Sequence, residues 1–168
     1  MRVGAYGISL DLGPAWEARF FKQPDPGDGS CMPIGHIGNF AIPVDSSNFA
    51  GRVIEGLDDS KALIAVVEYG PEVAGTPLFT SGRWPPRLEI TDLNPSAFDG
   101  PHSPGLAGNQ NFVTVHGRAF CIYIVMPFSG QAAPLLNEVN EVMETLSIEP
   151  VTEVGQAPPS SNGRGSGK

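Results

Sequence analysis

The chain has 168 residues, 40% of them hydrophobic, which is the size of one domain with one ordinary core. Its net charge of −8, with ten basic residues scattered among eighteen acidic ones, excludes a nucleic-acid or anionic-membrane surface, because both need clustered cations. No run approaches the roughly 18 apolar residues of a membrane span, and Met1 to Leu12 has no signal-peptide pattern. With only two cysteines, the expected setting is the cytoplasm.

Ile8, Leu10 and Leu12 alternate with Ser9 and Asp11, a strand with one buried face. Gly13-Pro14 interrupts it, and Trp16, Ala18 and Phe20 alternate in turn, so the two runs predict a β-hairpin. Residues 23–30, with two prolines and two glycines, predict a loop, and strand character returns from Ile34 to Ile42. Ser46 or Ser47 is a candidate cap for a short helix over 48–57 that buries Phe49, Val53 and Leu57. Ala62 to Tyr69, ALIAVVEY, is continuously apolar, as a strand covered on both faces should be.

Residues 70–111 hold seven of the 17 prolines, and Leu88 to Ile90 is the one short strand candidate among them. So long a stretch without periodicity is often functional, which makes it the first place to seek a site. Phe112 to Val115 and Ala119 to Met126 flank His116-Gly117-Arg118 and predict a second hairpin. Ala132, Leu135, Leu136, Val139, Val142, Met143 and Leu146 recur at helical spacing, with Glu138, Glu141 and Glu144 off that stripe and Pro150 as a stop. The tail, 152–168, is too poor in apolar side chains to offset the entropy of ordering it, so the folded domain is expected at 1–151. The fold class is therefore α+β, a mainly antiparallel sheet covered by a long C-terminal helix and a short helix.

Few residues invite chemistry. His36, His102 and His116 lie far apart, with no helical metal spacing. His116 belongs to a turn, while His36 is either a surface histidine or a base for Cys31. Cys121 reads as a small core hydrophobe. Asp25, Asp28, Asp58 and Asp59 lack the ligand pattern of a calcium loop. No cofactor or metal is implied. The remaining constellation is FTSGRWPPR, with Phe79, Arg83, Trp84 and Arg87 as candidate binding residues, since Trp and Arg dominate binding hot spots. The competing reading is that Trp84 folds down as a lid over the sheet edge. The acidic face of Glu138, Glu141 and Glu144 is either a site for a basic partner or simply solvated.

Three segments resemble the Mog1/PsbP-like group of small α/β/α sandwiches: GISLDLGPAW at 7–16, ALIAVVEY at 62–69 and NEVNEVMETLSI at 137–148. The pattern is similar to uncharacterised bacterial proteins of that kind more than to studied members. The resemblance is at fold level over about a third of the chain, and it implies an accessory, partner-binding role. The expected function is a non-catalytic protein-interaction module that uses the sheet or the 70–111 loop. The alternatives are a small-molecule binder or enzyme with a pocket between that loop and the sheet, and a homo-oligomeric subunit of a larger assembly.

Overall fold

The structure, a computed structural model, describes residues 1–24, 31–44, 51–95, 105–130 and 132–151. The expected helix cap at Ser46 or Ser47, His102, Asp25, Asp28 and the tail lie outside them.

Two antiparallel sheets carry the fold. In chain order the elements are β1 (Arg2–Ala5), β2 (Ile8–Asp11), β3 (Glu17–Pro24), β4 (Cys31–Gly38), α1 (Gly51–Ile54) and β5 (Leu63–Tyr69), followed by β6 (Leu106–Val115), β7 (Arg118–Pro127), α2 (Ala132–Glu144) and β8 (Ser147–Ile148). The small sheet has the order β1-β2-β8 and the large one β3-β4-β5-β7-β6.

The first expected hairpin is corrected by this topology. The runs on either side of Gly13-Pro14 are strands, but β2 pairs with β1 and β8, while β3 pairs with β4. The true turn is Tyr6-Gly7, where both residues adopt positive φ (57° and 73°), as a two-residue hairpin turn requires. Gly13 to Trp16 instead crosses from one sheet to the other. The β6–β7 hairpin turns at His116-Gly117 in the same way, with φ of 51° and 77°. Strand β4 ends at Gly38 rather than continuing to Ile42, and the described short helix is a single turn. Leu88 to Ile90 forms no strand.

Period-two alternation gives the large sheet two apolar faces. Ile37, Ile64, Val66, Ile122 and Ile124 point to one side and pack with Ile8 and Leu10 of β2, with Ile148 of β8, and with the apolar stripe of α2. Ile34, Leu63, Ala65, Cys121, Tyr123 and Val125 point to the other and pack with Ile42, Val53 and Ile54. Strand β5 is buried on both faces because it is central, as its unbroken apolar run implies. No helix among the described residues is long and apolar enough to cross a membrane.

Residues 71–95 are a strap along the open edge of β6. An edge strand leaves main-chain donors and acceptors unpaired, and covering them suppresses edge-to-edge association. The Gly82 N–H donates to the Phe112 carbonyl (2.9 Å), and Asn94 and Gly108 exchange two bonds (2.8 and 2.9 Å). Gly75 donates to Thr114 Oγ1 (2.9 Å). A side chain at Gly82 would place its Cβ 2.3 Å from the Phe112 carbonyl oxygen, so only glycine permits this approach.

Candidate functional site

The strap contains the four residues singled out from sequence, and it points them in different directions. Phe79 is buried (4% exposed) and packs between Tyr69, tilted to it at 5.1 Å, and Phe112, edge-on at 5.4 Å. It is a packing residue, which corrects its expected place in a binding surface. Trp84 is half-buried and packs on the core cluster that includes the apolar stripe of α2, which favours the lid reading over the hot-spot reading. Arg87 is exposed and forms an ion pair with Glu144 of α2. Arg83 is exposed, and its main chain is bracketed by the Asn111 amide, which accepts from Arg83 N–H (3.0 Å) and donates to its carbonyl (2.9 Å). Asn140 brackets Leu88 identically, with both bonds at 2.9 Å and the Asn side chain buried. A primary amide presents an N–H donor beside a carbonyl acceptor, as a peptide group does, so these asparagines substitute for strand pairing. Neither stands out in the sequence, because the residues they hold are 28 and 52 positions away.

Arg118 is buried (6% exposed) and uses all of its donors. Its Nε and Nη2 grip both oxygens of Glu68 (2.8 and 2.6 Å), Nη2 also donates to the Tyr6 carbonyl (2.9 Å), and Nη1 donates to the carbonyls of Gly7 (3.3 Å) and Glu149 (2.9 Å). The guanidinium lies 5.1 Å from the Phe120 ring centroid. It locks the β1–β2 turn and the end of β8 onto the large sheet. Gly7 is part of the lock, since a Cβ there would meet Nη1 at 2.7 Å. A guanidinium with every donor committed has none left for a ligand, so this centre is structural.

His36 is fully buried in β4 rather than on the surface, edge-on to Phe21 at 5.1 Å. The Cys31 side chain lies outside the described set, so the Cys31–His36 pair does too. His116 occupies the hairpin turn. Asp58 accepts from Ser60 N–H and Oγ (3.0 and 2.6 Å) and pairs with Lys61 (2.7 Å). The Lys61 ammonium and the Ser60 donors hold its carboxyl well below the usual carboxylate range. Among the described residues no cluster of His, Cys, Asp or Glu has the makings of a metal site.

Cys121 is a free, buried thiol, and burial pushes it up to about 12. Tyr69 is raised too, first by burial and then by Cys121. The unfolded chain releases the thiol proton near its ordinary value of about 8.5. The stability that depends on this thiol is therefore complete below that pH and is lost as pH rises towards about 12. Urea midpoints of a Cys121→Ala variant should consequently decline less steeply than wild type between about pH 8 and 11.

Three concavities built of described residues lie away from the strap. A groove of about 420 Å³ runs between the Gly13–Trp16 crossover and α2. Leu12, Trp16 and Val142, each no more than 8% exposed, present its apolar floor. Asp11 stands on one side and Glu138 and Glu141 on the other, and no cationic side chain lines it. Asp11 is held by Arg2 (3.2 Å), while Glu138 and Glu141 are exposed and have no ion-pair partner among the described residues. The crossover wall is fixed by the Trp16 N–H bond to the Gly13 carbonyl (3.1 Å) and by Thr145 Oγ1, which accepts from Asp11 N–H (2.9 Å). Sequence reading identified the acidic helix face but not its opposite wall, because Asp11 and Thr145 are 134 residues apart. Comparison of the chain with known protein families, characterised proteins and solved structures finds no match.

Proposed function

We propose that this chain is a non-catalytic accessory module that docks a protein partner through the groove between the Gly13–Trp16 crossover and α2. The observation that carries this reading is the groove itself, an apolar floor edged by Glu138 and Glu141. Three other polar centres are engaged within the chain: Arg118 on Glu68, Asn140 on Leu88, Asp58 on Lys61. The accessory role is also what the resemblance to the Mog1/PsbP-like sandwiches implies, and a cytoplasmic setting goes with it. Arg83, exposed beside the half-buried Trp84, is the part of the strap offered to the same partner.

Affinity isolation of the full chain from host cells tests the proposal. The recovered partner should be lost with Glu138→Lys/Glu141→Lys, whose thermal midpoint stays close to wild type because both positions are exposed. Undiminished recovery with the charge-reversed chain would refute docking at this groove.

A further inference from the structure

We infer that the groove receives an extended basic segment of the partner, with the aliphatic stem of a lysine or arginine along Leu12, Pro14 and Trp16 and its cation between Glu138 and Glu141. This rests on the docking reading above and names the chemistry of the occupant.

Three observations converge on it. The floor is shallow and almost wholly packed, so it suits a flexible alkyl stem lying on it better than a ring inserted into it. Glu138, Glu141 and Glu144 follow one another at a spacing of three on α2, where like charges repel, and Glu141 and Glu144 face the negative end of the helix dipole. The last turn of α2 contains no basic residue to relieve this. Glu144 is relieved by the Arg87 guanidinium reaching across from the strap, while Glu138 and Glu141 have no such cation among the described residues. Arg87 on Glu144 is thus this chain's own example of a basic side chain on the acidic stripe, and the groove presents the unfilled remainder of that stripe beside an apolar floor. A partner's cation there completes the pattern.

The probe is a capped nine-residue peptide of alternating alanine and lysine, titrated into the full chain while the two tryptophan indole N–H signals are followed by NMR. The Trp16 signal should shift saturably, and that of Trp84, on the strap, should stay still. Glu138→Gln/Glu141→Gln should weaken binding roughly tenfold, the loss of two charge pairs at the rim, and leave the thermal midpoint unchanged or higher. Glu55→Gln/Asp59→Asn removes the same charge elsewhere on the exposed surface and should leave binding unchanged. A counterpart peptide with glutamate for lysine should give no response. Absence of a saturable Trp16 shift, or equal weakening by the two double variants, overturns the inference. If the cellular partner is lost on charge reversal at 138 and 141 while the lysine peptide gives no Trp16 shift, docking at the groove stands and the basic segment falls. If the partner survives charge reversal, the docking reading itself falls.

Discussion

Arg118→Met should cost about 3–5 kcal/mol of folding stability, the typical penalty for leaving a buried charge without its partner. Glu68 has a side chain only 10% exposed, and without Arg118 its carboxylate loses both of its bonds to the guanidinium. The carbonyls of Tyr6 and Glu149 lose their guanidinium donor at the same time, and that of Gly7 keeps only the Glu149 N–H, so the small sheet should loosen from the large one. Urea unfolding measures the loss, and hydrogen exchange should place the fastest-opening amides in β1, β2 and β8. Arg118→Met/Glu68→Leu should recover much of the stability, because removing both charges leaves neither stranded. Arg118→Lys should recover little, since an ammonium cannot grip two oxygens and three carbonyls from one plane. Equal stability of the single and double variants would contradict this account.

Asn140→Ala should cost about 2–4 kcal/mol, because the Leu88 N–H and carbonyl both remain buried and neither retains its partner. Its consequence reaches beyond α2. The strap is tied to the helix by Asn140 and by the Arg87–Glu144 pair, but both side chains of that pair are at least half exposed and it contributes at most about 1 kcal/mol. Asn140 is therefore the stronger tie. Its loss should free the strap, expose the outer edge of β6 and promote self-association. Faster hydrogen exchange at Gly82, Asn94 and Gly108, with a concentration-dependent shift in size-exclusion elution, would be the readout. Glu144→Gln, which breaks only the surface pair, should change neither. A rigid strap in the Asn140→Ala protein would mean that its bonds to β6 and the packing of Phe79 and Trp84 suffice to hold it.

The candidate groove was half legible in the sequence. Glu138 and Glu141 fall off the apolar stripe of α2 by spacing alone, so their exposure follows directly from a period of 3.6. That they border a groove depends on the crossover from Asp11 to Trp16, and a Gly-Pro punctuator looks the same in a hairpin as in a passage between sheets. The 70–111 stretch misled for a related reason. Its lack of periodicity suggested a functional loop, yet the strap within it, residues 71–95, is tied to β6 and α2 through main-chain bonds at Gly82 and Asn94 and through asparagine brackets, which have no periodicity to detect.

Local pattern by itself indicated β2 to β5, β7 and the helical stripe of α2, but not β1, β8 or the start of β6, because side-chain alternation and the i, i+3, i+4 spacing decide which face of an element can leave water. It also determined that β5 is central and that Cys121 belongs to the core. Tertiary structure alone decided that β2 leaves its neighbour β3 for β1 and β8, that a proline-rich strap seals the sheet edge, and that Arg118 is a buried lock rather than a turn residue. Those outcomes turn on which distant partner satisfies a buried hydrogen-bonding group. The Arg118 bond to Tyr6 spans 112 residues, and chemistry at that range leaves no mark on the neighbouring sequence.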